Sequence, residues 1–182
     1  LWKALFFDEG RFEEQPERSA RWNRGAYLVE GLGHCGECHT PRNFLGALDE
    51  DLAFAGSTYF ERIDGKLSAW SAPNLTGAAS GLAMWSHDDV AGLLKLGFSE
   101  RAGVFGPMNN VVVNSTRHLS DADVSAMTEY LKGLPARALE AGAPADEDVL
   151  RAGSLQYDIH CGTCHLPTGD RKSTRLNSSH YS

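Results

Sequence analysis

Five consecutive residues, Cys35-Gly36-Glu37-Cys38-His39, recur as Cys161-Gly162-Thr163-Cys164-His165, and the two copies use all four cysteines of the 182-residue chain. Each pair of thiols is followed at once by a histidine, which is the attachment signature of a c-type haem. The spacing has a physical reason. One short helical turn presents both thiols to the two vinyl groups at one edge of the macrocycle, and the next residue swings its imidazole beneath the iron. At ordinary residue frequencies such a pentapeptide arises by accident in on the order of one chain in several hundred. Two copies are not an accident.

Two Cys-x-x-Cys pairs can also make a four-thiolate zinc site, and the long gap between them does not forbid it. Zinc, however, gives no reason for a histidine directly after each second cysteine. A thioredoxin-like redox pair is disfavoured, because no alternating strand and helix pattern surrounds either motif. Disulfides between neighbours three apart would be strained. Covalent haem is the reading that uses every residue of both motifs.

The chain is long enough for one or two small domains. A hydrophobic content of 42% is ordinary for a water-soluble fold. No apolar run reaches the length of a membrane span, and no secretory leader stands at the start. Covalent haem attachment implies export to the periplasm or an equivalent compartment, so the first residue is read as not the native one. A net charge of -7 argues against nucleic-acid binding. An acidic electron carrier is expected to dock on a basic patch of its partner. The stretch from Asp170 to His180 has no apolar periodicity and matches the in-frame translation of a common sequencing adapter. Residues 170–182 are therefore expected to be a non-native tail.

In chain order, Leu1 to Phe7 is apolar and reads as the end of a helix from a preceding domain, followed by a linker; the two fill residues 1–17. A helix is expected from Ser19, with Tyr27, Gly31 and Cys35 four apart on one face leading to the motif. Gly153, Tyr157 and Cys161 repeat that spacing with glycine and tyrosine exchanged. Glycines inside helices weaken them, so a close helix crossing is expected at Gly31 and Gly153. Thr40 to Leu82 reads as a long irregular loop packed on the macrocycle. The carbonyl of Pro73 is the candidate acceptor for the proximal His39 proton.

Ser86 caps the next helix, which carries Val90, Leu93 and Leu94 and stops at Gly97. Gly106-Pro107-Met108 then reads as a loop facing the attached histidine, where Met108 can supply the sixth iron ligand and raise the potential. His118 is the rival, giving a bis-histidine iron of lower potential. Met84 and Met127 read as packing residues. Ser120 caps a last helix ending at Gly133, completing a small all-α haem domain over residues 18–135. Residues 136–145 form an alanine, glycine and proline-rich linker. Residues 146–169 begin a further domain with Cys161, Cys164 and His165 but no distal ligand.

Asn23-Arg24-Gly25-Ala26-Tyr27-Leu28-Val29-Glu30-Gly31-Leu32-Gly33-His34, the motif itself and Thr40-Pro41-Arg42-Asn43 resemble one particular family, as do Gly106-Pro107-Met108 and the stretch from Ser115 to Asp123. These are similar to the multihaem cytochrome c subunits of bacterial membrane-bound alcohol, sorbitol and gluconate dehydrogenases. The resemblance implies class I cytochrome c-like domains in tandem, the complete one here being the middle of three and residues 146–169 the start of the third. It implies Cys35, Cys38, His39 and Met108 as ligands of one haem, and Cys161, Cys164 and His165 for the next. It further implies a periplasmic electron carrier on the inner membrane, working between a quinoprotein (PQQ) or flavoprotein (FAD) dehydrogenase and membrane ubiquinone or a terminal oxidase chain. No nucleophile, acid and base constellation stands in the chain, so substrate oxidation is assigned to the partner. A peroxidase-like enzyme with an open iron and a four-cysteine zinc module are the alternatives.

Overall fold

The structure is a computed structural model that describes residues 1–7, 9–140, 142 and 144–167. The expected non-native tail lies outside these residues. The chain divides into two compact units, residues 1–139 and residues 140–182.

The first unit begins with a short helix, α1 (Trp2–Phe6), whose Trp2 indole donates to the Leu45 carbonyl at 2.9 Å. Phe12 packs on the core and meets the edge of Tyr27, with ring centroids 5.7 Å apart. Helix α2 (Ala20–Ala26) starts where the Ser19 hydroxyl accepts from the Trp22 amide. From Tyr27 to Leu32 the helix widens to a π-helical turn. The attachment turn follows as α3 (Gly36–His39). The uniform α-helical face expected to run into Cys35 is thus interrupted.

A second difference lies between the motif and Pro73. Residues 57–72 are not irregular but form an antiparallel hairpin, β1 (Ser57–Ile63) and β2 (Lys66–Ala72), paired from Ser57↔Ala72 to Ile63↔Lys66. Its two-residue turn, Asp64-Gly65, has φ of 48° and 78°. Positive values at both positions are what a tight hairpin of right-handed strands needs. The chain is therefore mostly helical rather than all-α.

Helix α4 (His87–Leu96) carries a full capping box, Ser86 and Asp89 each bonding the other's backbone amide, and ends at Gly97 with φ of 81°. We expect Ser86→Ala to lower stability by about 1 kcal/mol in a denaturant titration of the haem-loaded protein, because the Asp89 amide at the helix start loses its hydroxyl partner. Helix α5 (Pro107–Asn114) follows, then a 3₁₀ turn at Thr116–His118 and helix α6 (Asp121–Lys132). Proline at the first helical position is why Gly106-Pro107-Met108 starts a helix rather than a loop.

Helices α2 and α6 cross at close range. A Cβ built on Gly25 would overlap the Ala126 carbonyl oxygen and stand 2.6 Å from its carbon and 2.9 Å from the Tyr130 Cβ. Ser19 donates to Glu129 at 3.0 Å, and Arg24 pairs with Asp123 at 2.7 Å, across the same crossing. The crossing glycine is Gly25. At Gly31 a Cβ would meet only the Tyr27 ring at ordinary distance, and at Gly153 nothing within 4 Å. The core lies beneath this crossing: Leu28, Val29, Phe54, Leu82, Val90, Leu94, Val124, Met127, Tyr130 and Leu131.

Among its described residues the second unit holds one helix, α7 (Glu147–His160), capped by Asp146, whose carboxylate accepts from the Val149 amide at 2.9 Å. No helix among the described residues is long and apolar enough to cross a membrane.

Candidate haem site

The residues before the first motif set its direction. The Gly33 amide donates to the Leu28 carbonyl five residues back at 2.7 Å, and the Cys35 amide to Val29 at 3.0 Å. His34 takes a φ of 33°, turning the chain into α3. The Cys38 and His39 amides both donate to the Cys35 carbonyl, at 3.3 and 3.1 Å. Residues three apart on such a turn share a side, which is where two neighbouring vinyl groups require their thiols.

His39 is 7% exposed, and its Nδ1 lies 2.8 Å from the Pro73 carbonyl oxygen. That is the acceptor expected from the sequence. A carbonyl only accepts, so Nδ1 carries the proton and Nε2 keeps its lone pair. Burial holds the imidazole below its usual range, partly offset by the Pro73 carbonyl. The ring is neutral with Nε2 as a donor atom, the state that iron ligation demands. Pro73 is itself positioned by its neighbours: Asn74 reaches the Arg137 carbonyl at 2.6 Å, and Leu75 donates to Phe54 at 2.9 Å.

The Cys35 thiol is pushed up to about 11, chiefly by burial. Cysteines poised for exchange chemistry or metal have the opposite shift. Among the described residues all four cysteines are free thiols, and no three His, Cys, Asp or Glu side chains converge as a metal-binding group.

Met108 is the second residue of α5, half-buried, and packs with Cys35 on the same buried cluster. Gly106 before it takes φ 57° and ψ -138°, a conformation that side chains resist. Met127 is a core residue at 2% exposure, as expected; Met84 is not, standing 73% exposed. The rival His118 is on the surface with Nε2 3.1 Å from the Val113 carbonyl. His34 and His160 are exposed as well.

The second motif makes the same local turn. Cys164 and His165 amides donate to the Cys161 carbonyl at 3.0 and 2.8 Å, and the Tyr157 hydroxyl donates to Leu166 at 2.7 Å. Val149, Leu150, Leu155 and Ile159 on α7 are 58% to 60% exposed, an apolar surface uncovered by the described residues of this unit.

No protein-family model matches the chain. Individual proteins do. It is 35% identical to the fructose dehydrogenase cytochrome subunit of Gluconobacter japonicus, over 93% of this chain and 38% of that protein. It is 36% identical to the gluconate 2-dehydrogenase cytochrome c subunit of Pantoea cypripedii, over 97% of this chain and 43% of that protein. The chain is a homologue of dehydrogenase cytochrome c subunits. A third relative, the cytochrome c subunit of alcohol dehydrogenase (quinone) from Gluconobacter oxydans, is 38% identical over 93% of this chain. This cytochrome c homologue spans about two fifths of the length of these relatives.

The residues of this chain fit a covalent haem. Two free thiols share one turn, a buried neutral imidazole follows, and a half-buried thioether stands on the same core. The residues missed from the sequence are Gly25, Tyr59 and Trp70. The Asp64-Gly65 dipeptide was the signal that would have placed the last two on a hairpin.

Proposed function

We propose that the chain is an electron carrier, the middle haem domain and the beginning of the next from a cytochrome c subunit that serves a bacterial dehydrogenase. Haem c, when bound, supplies a one-electron iron couple; the protein sets its potential, position and access. Cys35 and Cys38 hold the group by thioether bonds, and Cys161 and Cys164 do so in the second unit. His39 and His165 are the proximal ligands. Pro73 fixes the His39 tautomer and keeps its ring from rotating. Met108 is the distal ligand; a thioether favours reduced iron and raises the potential. The observation that carries the reading is the buried, neutral His39 held by Pro73 directly after two thiols on one turn.

The finer placement follows the same reading: a periplasmic location at the inner membrane, a PQQ or FAD dehydrogenase as donor, and ubiquinone or an oxidase chain as acceptor. The domain boundaries, residues 18–135 and 146–169 with a linker between, belong to it too.

The decisive measurement is the intact mass of the full chain made in a host with c-type haem maturation. One or two haem additions are expected, with the addition at the first site abolished in Cys35→Ser with Cys38→Ser. An unmodified mass under competent maturation would overturn the proposal. It would favour the zinc module, which zinc content would then report.

A further inference from the structure

The hairpin β1–β2 has two unlike faces. Thr58, Phe60, Leu67, Ala69 and Ser71 point to solvent, while Tyr59, Ser68, Trp70 and Ala72 alternate with them and are half-buried. Tyr59 and Trp70 are directly paired across the strands. Side chains so placed touch and act as a unit.

Each of the two reaches a different part of the candidate site. Strand β1, which carries Tyr59, lies against α3, which carries Cys38. Trp70 goes the other way. The outer carbons of its six-membered ring lie where a Cβ on Gly106 would be, 2.7 and 2.9 Å from that position. Gly106 is the residue from which α5 starts, two before Met108. The Trp70 indole nitrogen is buried, and among the described residues no protein atom accepts from it. Burial of an unpaired donor is unfavourable. The ring packs on Gly106, the residue from which the methionine segment starts.

We propose that the hairpin is a strap between the attachment turn and the methionine segment, and that Trp70 is the positioning residue that holds Met108 at the iron. This rests on the reading of Met108 as the axial thioether. The strap restricts a local opening in which α5 backs away from the core and the sulfur leaves. Phe60, on the opposite face and 65% exposed, has no part in it.

The test is imidazole binding to the oxidised, haem-loaded full chain, followed by loss of the absorption band of thioether-bound ferric iron. Imidazole binds only the open state, so its apparent affinity scales with the open fraction. Trp70→Ala is expected to tighten imidazole binding by at least about tenfold. Trp70→Phe, which keeps an aromatic ring but loses the reach to Gly106, gives a smaller gain. Met108→Ala sets the upper limit, and Phe60→Ala leaves the affinity at the wild-type value. A purely structural role would lower the denaturant midpoint of the Trp70 variants without changing imidazole affinity, and that result overturns the proposal. Should Trp70→Ala not be recovered folded, an unchanged affinity in Trp70→Phe overturns it equally. A wild-type protein lacking the thioether band would instead sink the axial assignment itself, which is a separate outcome.

Discussion

Met108→Ala lowers the midpoint potential of the first haem by on the order of 0.1–0.2 V, a part of the ~0.8 V range over which axial ligands move haem iron. It also opens the iron to carbon monoxide in the reduced state. Both effects would follow from the proposed ligation, in which the Met108 thioether would stabilise the ferrous form and occupy the iron's remaining position. Redox titration with carbon monoxide difference spectra checks the two together. Of the alternatives, His118 is bound to the Val113 carbonyl on the surface, and Met84 is 73% exposed. Neither is built into the core that Met108 shares with Cys35. An unchanged potential with no carbon monoxide binding would return the distal position to another residue.

Gly25→Ala is the substitution expected to harm the fold most. Alanine is worth about 1 kcal/mol over glycine in a helix interior. Here that gain is overwhelmed, because the new methyl group would overlap the Ala126 carbonyl and crowd the Tyr130 Cβ. Both are backbone or backbone-adjacent atoms that cannot rotate aside. Overpacking of this kind costs about 3 kcal/mol, leaving a net loss of roughly 2 kcal/mol. Moving α2 off α6 would also strain the Arg24–Asp123 and Ser19–Glu129 links across the crossing. Chemical denaturation of the haem-loaded variant measures the loss; an unchanged midpoint would mean that the helices separate freely. Gly31→Ala is the control, since a Cβ there meets only the Tyr27 ring at 3.6 Å.

Local chemistry was legible where one residue determines one geometry. Ser86 and Ser120 read as helix caps and each makes its cap bond. Gly97 and Gly133 end their helices, and the Pro73 carbonyl receives the His39 proton. What escaped depends on pairing at a distance. Gly25 looks like any helical glycine until Ala126, far along the chain, is laid across it. The hairpin hid for a different reason: its outer face carries Phe60 and Leu67, so polar and apolar residues do not alternate cleanly. The start of α5 was concealed by three consecutive valines, which are better suited to strands than to helices. Tyr130 on α6 likewise meets its partners only across the fold, edge-on to Trp22 and donating to Glu30.

The wide turn from Tyr27 to Leu32 makes the entry to the attachment motif elastic in length. Elsewhere in a helix, removing one residue rotates everything downstream by about 100°, which would swing Cys35 and Cys38 away from the side on which they must meet one edge of a ring. A π-helical turn carries one residue more than the α-helix that would replace it. This segment can therefore give up a residue by tightening its winding, with α2 still on α6 and the thiols still facing the same way. A one-residue gap in an alignment at this place signals a change of helical pitch, while the same gap a few positions earlier signals a different protein surface.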